Sequence, residues 1–201
     1  RPPKRSDVLS VFAGLRPLAA PRSEGKKTKE ISRSHKLIRE KSGLITIIGG
    51  KWTTYRKMAQ DTLDLAIRYM HIPTKDCITE RYQIHGSRKN PDFSDPLYVY
   101  GTDADEIRNL VASSPAMAEK LHPDYAYTVG EVTWLVRNEM PRTLEDVLAR
   151  RLRILFLDAR AAMAMAPKVA GILATEWGKD ETWTSAQVKA FNEVASNYIL
   201  N

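Results

Sequence analysis

The chain has 201 residues, 43% of them hydrophobic, and a single cysteine, Cys77. That is ample material for a core; it excludes a disordered protein, an internal disulfide and a zinc held by clustered Cys and His, and such cysteine usage fits a reducing compartment. The net charge of +7 raises nucleic-acid binding, but the densest basic stretch, Arg22 to Glu30, is interleaved with acids and has no aromatic residue for base stacking, so no nucleic-acid partner is expected.

The sequence opens "RPPKRSDV" without a methionine, as an excised piece of something longer would. Residues 7–13, "DVLSVFA", read as a short strand, and Gly14 and Pro17 then break the chain on either side of Arg16. After the basic loop, "SHKLIREK", a turn at Ser42-Gly43 and "LITIIGG" predict a β-hairpin whose apolar second strand is buried. From Thr53 the period becomes helical. Met58, Ala59, Thr62, Leu63, Ala66, Ile67 and Met70 share a face, and the helix should end near His71, before Pro73.

Residues 75–100, with Gly86, Pro91 and Pro96, read as a linker between a first segment, 1–74, and a second, 101–201. The second is nearly all helical. Thr128 with Glu131, Thr143 with Asp146 and Thr184 with Gln187 have the spacing of capping boxes, each satisfying amides that a helix start leaves unpaired. "RILFLDARAAMAMA" is apolar almost all round, as a central bundle helix should be, with Pro167 expected to kink or restart it. Trp134, Trp177, Trp183 and the Met163/Met165 pair are expected in the core, and Phe191, Val194, Ala195, Tyr198 and Ile199 on one face of a last helix. The longest nearly apolar run, Ile154 to Ala166, carries Asp158 and Arg160 and is too short to span a bilayer. The fold expected is therefore mixed: the end of an α+β domain (short strands, a β-hairpin, one long helix) followed by an all-α helical bundle.

The stretch most open to chemistry is "IIGGKWTTYR". Gly49 and Gly50, between a strand and a helix, would let another backbone or a planar ligand approach closely, and the amides of Lys51 to Thr54 would make an electropositive helix start. An ordinary strand-to-helix connection, with Thr53 as N-cap, accounts for the same residues. Arg16, between Gly14 and Pro17, could hold a rigid guanidinium for bidentate contact with phosphate or carboxylate; Arg33 precedes the hairpin. On the residues alone, a solvated surface cation is the plainer reading of each of Arg16, Arg33 and Lys51. The four histidines are dispersed and predict no metal site, and no Gly-x-Gly-x-x-Gly occurs.

"VFAGLRPL", "ISRSHKL", "LITIIGGKWTTYRKMAQDTLD" and "EVTWLVRNEMPRTLEDVLARRLRILFLDARAA" resemble, in order and spacing, the C-terminal part of FAD-dependent glycerol-3-phosphate dehydrogenases, flavoproteins of the D-amino-acid oxidase type. The resemblance implies that Gly49 and Gly50 admit the flavin ring of FAD and that the amides of Lys51, Trp52 and Thr53 face its N1 and O2. It implies that Arg16, Arg33 and Lys51 form a cationic pocket for the substrate phosphate, with Lys51 also acting in catalysis. The reaction implied is oxidation of sn-glycerol 3-phosphate to dihydroxyacetone phosphate, with electrons passing through FAD to a quinone or, in an oxidase, to oxygen. An upstream FAD-binding domain of the same chain would complete the site and supply the catalytic base, leaving this piece inactive alone. The expected location is cytoplasmic, at most peripheral on the inner face of the cytoplasmic membrane. A different class of function stays open: a helical module that binds a protein partner or a membrane surface.

Overall fold

A computed structural model describes residues 2–15 and 34–200. The chain divides into two compact units, Arg1–Ala13 with His85–Asn201, and Gly14–Ile84. The stretch 75–100 is thus shared between the two, and residues up to 13 belong with the helices.

The helical unit is built on α6 (Ala159–Trp177), whose Ala161, Ala162, Met165, Ala166, Val169, Ala170 and Leu173 are all buried. The run of small alanines lets α4 (Val129–Asn138) and α7 (Glu181–Ser196) approach closely, and α2 (Ala104–Ala112), with the short α3 (Pro115–Ala118), packs beyond α4. Val132, Leu135 and Val136 of α4, Ile107 of α2, and Phe191 and Ala195 of α7 complete the core. Trp134 and Met165 are buried, while Trp177 and Trp183 meet edge to face at 5.8 Å on its margin. Val194, Tyr198 and Ile199 pack against the core as expected, the last two just beyond the end of α7.

The caps explain where the helices begin. The Thr128 hydroxyl accepts the Glu131 amide at 3.2 Å, and Thr143 and Asp146 satisfy each other's amides at 3.0 and 3.2 Å. The second pair opens a π-helical turn, Asp146–Arg151. Three expectations are corrected here. Residues 154–166 are not one helix: Asp158 turns its carboxylate to the Ala161 amide, 2.9 Å away, and separates α5 (Ile154–Leu157) from α6. Pro167 does not restart α6. A proline inside a helix costs about 3 kcal/mol, and burial of Met165, Val169 and Leu173, each worth about 1.5–3 kcal/mol, offsets it. Finally, α7 begins a turn earlier than Thr184, because Asp180 accepts the Trp183 amide at 2.8 Å; the Gln187 side chain instead accepts the Leu144 amide.

Residues 7–13 form no strand; Arg5–Asp7 is a 3-10 turn. An extended strap follows. Val11 donates to the Tyr198 carbonyl at 2.8 Å, the Leu9 carbonyl accepts the Ala159 amide at 3.1 Å, and the Ser10 hydroxyl donates to the Leu155 carbonyl at 2.8 Å. Phe12 meets Phe156 edge to face. The backbone groups that would have made a sheet ladder are taken up by the ends of helices.

At Gly101 (φ +56°) a Cβ would fall 1.7 Å from the Gly86 carbonyl oxygen, so only glycine fits. This crossing seats Tyr100 against α4, where its hydroxyl donates to Glu131 Oε1 at 2.7 Å and its ring meets Trp134 edge to face. Glu131 is 4% exposed, and burial pushes its carboxyl up to about 6, with the Tyr100 hydroxyl and the Thr128 amide pulling the other way. A carboxyl raised on folding favours the neutral form, so its contribution to stability is full below about pH 4.5 and is lost as pH rises through about 6. Glu131→Gln should remove that loss, worth about 2 kcal/mol. Urea titrations of both proteins from pH 4 to 8 check this: the stability difference should open between pH 4.5 and 6, and a constant difference would show that the shift is absent.

The second unit holds a two-stranded antiparallel sheet, β1 (Lys36–Arg39) and β2 (Ile45–Ile48), in register from Lys36 opposite Ile48 to Arg39 opposite Ile45. Gly43 (φ +92°) forms the turn. The helix α1 (Tyr55–Met70) packs on β2 and ends at His71, which adopts a left-handed conformation. The second strand is half-buried rather than buried, since a two-stranded ribbon with one helix can cover only one face. Arg39 lies over the Tyr69 ring at 3.6 Å, fixing the hairpin to the end of α1.

Candidate functional site

The chain leaves β2 through Gly49 (φ +75°) and Gly50 (φ +87°), extends at Lys51, and enters α1 through a 3-10 turn, Trp52–Thr54. Both glycines are favoured by their left-handed backbone angles, and space beside them is tight. A Cβ on Gly50 would lie 2.5 Å from Met58 Sδ, and one on Gly49 would lie 3.1 Å from the Ser34 carbonyl oxygen. This close approach is made by the chain itself, on one side of the turn. Gly50→Ala should therefore cost about 1–2 kcal/mol from the left-handed backbone alone, read as a lower melting temperature; no change would mean that the turn can relax.

A cavity of about 600 Å³ borders the turn, lined by Gly14 and Leu15, by Gly49 to Trp52, and by Tyr55 and Met58. Lys51 is exposed beside it and makes no ion pair among the described residues. Thr54, not Thr53, caps the turn: its hydroxyl donates to the Lys51 carbonyl at 2.9 Å and accepts the Lys51 amide at 3.3 Å. The amides of Trp52 and Thr53 have no acceptor among the described residues, the state in which a helix start attracts an anion. Trp52 is 89% exposed, its ring tilted against Tyr55 at 6.3 Å. Arg16 and Arg33 lie outside the described residues.

Behind the turn, Asp61 of α1 joins His35 Nε2 at 3.0 Å and Lys57 Nζ at 2.9 Å, and the Lys57 hydrogen bond holds its carboxyl below the usual range. This cluster ties the residue before β1 to α1 and so braces the glycines. Lys57 and Asp61 are legible as an i,i+4 pair, but His35 is not, being 26 residues from its partner. Among the described residues no three His, Cys, Asp or Glu converge on a metal position.

The family model for the C-terminal domain of alpha-glycerophosphate oxidase matches residues 44–184. The chain is 36% identical to a probable mitochondrial glycerol-3-phosphate dehydrogenase of Caenorhabditis elegans, over 98% of this chain and 29% of that protein. It is 34% identical to a counterpart in Dictyostelium discoideum, over 97% and 33%, and 32% identical to a mitochondrial glycerol-3-phosphate dehydrogenase of Arabidopsis thaliana, over 96% and 38%. The chain belongs to the family of the C-terminal domain of alpha-glycerophosphate oxidase, and what it resembles is the C-terminal part of glycerol-3-phosphate dehydrogenases. It spans about a third of the length of the curated relatives it matches. Their names overturn one expectation: these relatives are mitochondrial, not cytoplasmic. No described helix is long and apolar enough to cross a membrane.

Proposed function

We propose that the chain is the C-terminal part of an FAD-dependent glycerol-3-phosphate dehydrogenase that oxidises sn-glycerol 3-phosphate to dihydroxyacetone phosphate and passes the electrons to a quinone at a membrane surface. The relatives' names support a mitochondrial setting. The observation that carries the reading is the glycine turn, which opens on a cavity with two amides and a lysine at its edge that have no partner among the described residues.

FAD would supply the acceptance of a hydride and the onward release of electrons. The residues present suit one edge of it. Gly49 and Gly50 put no side chain between the backbone and the cavity, and the Trp52 and Thr53 amides, at the positive end of α1, stabilise negative charge held there. Lys51 adds a full positive charge and, with Arg16 and Arg33, would hold the substrate phosphate, because charge-assisted contacts are the strong ones. The nucleotide-binding part of the FAD site and the catalytic base are assigned to sequence outside this chain.

The test is a pair of purifications. The full-length protein should carry stoichiometric flavin, bleached by sn-glycerol 3-phosphate and reoxidised by a soluble quinone; the 201-residue chain alone should be colourless and inactive. A full-length protein without flavin defeats the function, and a yellow 201-residue chain defeats the division of the site. The family model's description favours one second reading, an oxidase using oxygen. Hydrogen peroxide formed in step with substrate, without quinone, would establish it.

A further inference from the structure

Between α4, Tyr98–Tyr100 and the turn into α5 lies a cavity of about 400 Å³ that the proposed oxidation does not use. At its floor is Glu131. This carboxylate receives the Tyr100 hydroxyl at Oε1, and a carboxylate has room for about four donors, so acceptor capacity remains. Tyr127, whose hydroxyl is taken up by the Leu152 carbonyl at 3.0 Å, and Phe156 also line the cavity.

Two arginines border this space, and they differ. Arg151 is committed to the fold: both terminal nitrogens donate to carbonyls, of Asp146 and Glu139, and its Nε lies 3.0 Å from Glu139 Oε2. Arg153 is exposed, and its side chain has no hydrogen-bond or ion-pair partner among the described residues. Its backbone sits at φ +60°, ψ +12°, a conformation that a side-chain-bearing residue adopts only at a cost in energy.

We propose that this cavity binds a small hydroxylated anion, with its carboxylate or phosphate on the Arg153 guanidinium and a hydroxyl donating to the Glu131 carboxylate. The two ends select this chemistry together. A plain anion gains at Arg153 but leaves Glu131 unserved or repels it, and a cation suits Glu131 but meets Arg153. The volume is at the lower end for ligand cavities, which limits the occupant to a few carbons stacked against the rings of Tyr98 and Phe156. The site lies in the helical unit and does not rest on the flavin reading.

Calorimetric titration of the 201-residue chain decides it, with D-glycerate and glycerol 3-phosphate as two-ended probes and glycerol and inorganic phosphate as one-ended ones. At least one two-ended probe should bind saturably and at least tenfold more tightly than either one-ended probe; the tighter of the two identifies the anionic end. Arg153→Gly relieves the backbone while deleting the guanidinium, so it should raise Tm yet weaken binding at least tenfold. Glu131→Gln, which removes the charge without opening a void, should weaken it severalfold. Lys51→Ala should leave it unchanged, which separates this site from the pocket assigned to the oxidation. The proposal is overturned if the two-ended probes bind no better than phosphate, leaving water as the occupant, or if Arg153→Gly and Glu131→Gln both bind as the parent does.

Discussion

Leu155→Asp should unfold the helical unit. Leu155 is fully buried in α5, and its backbone carbonyl also receives the strap through Ser10. An aspartate there forfeits the burial of a leucine and must either stay charged without a partner or take up a proton. Mutations of this kind cost about 4 kcal/mol or more, a large share of the 5–15 kcal/mol typical of a whole domain. Leu157→Asp is the matched control, with the same chemistry two residues along at a side chain 58% exposed, and should change stability by less than about 1 kcal/mol. Circular dichroism melts of the two variants make the comparison. Equal melting temperatures would show that α5 is not part of the core.

In the full-length protein, Lys51→Ala should lower kcat/KM for sn-glycerol 3-phosphate by roughly ten- to a hundredfold, the equivalent of one charge-assisted hydrogen bond of about 1.5–3 kcal/mol. It should lower kcat as well. On the proposed reading, a cation at the mouth of the glycine turn, beside two amides without an acceptor among the described residues, would favour negative charge that develops only as the reaction proceeds, and such interactions act on the chemical step. The companion arginines should behave differently. In the proposed pocket Arg33→Ala would remove a phosphate contact shared by ground and transition states and should mainly raise KM, and Arg16→Lys should still impair kcat/KM because it keeps the charge but loses the planar fork. Steady-state kinetics with flavin content measured in parallel separates these patterns from misfolding. Near-parental kcat/KM in all three would return them to the status of surface cations.

How much of this was legible depended on whether a signal was local. The hairpin and α1 were readable because the Ser42-Gly43 turn, the glycine pair and the change of period at Thr53 are contiguous. Two capping pairs at threonine were readable for the same reason. Asp158 carried an N-cap signal inside an apolar run, and the run outweighed it. At α7 both Asp180 and Thr184 are competent caps, and only the chain leaving Gly178 decides for the earlier one. The strap was out of reach altogether. Its alternation is that of a strand, and its partners lie more than a hundred residues away. In the same way the glycine turn stood out at once, whereas the Glu131 cavity depends on Tyr100 and on a crossing of Gly86 and Gly101 that no spacing announces.

The strap also makes the helical unit discontinuous along the chain, with residues 14–84 leaving and returning between its two parts. Leu9 and Val11 leave the ribosome well before Ala159 and Tyr198, which anchor them. At about 5–20 residues per second, the strap waits roughly ten seconds or more for its docking surface. Closing so long a loop adds little, because the entropy cost grows only with the logarithm of length. The strap is therefore seated late, and a nascent chain stalled before α6 and the end of α7 would leave the Val11 amide and the Leu9 carbonyl without their partners.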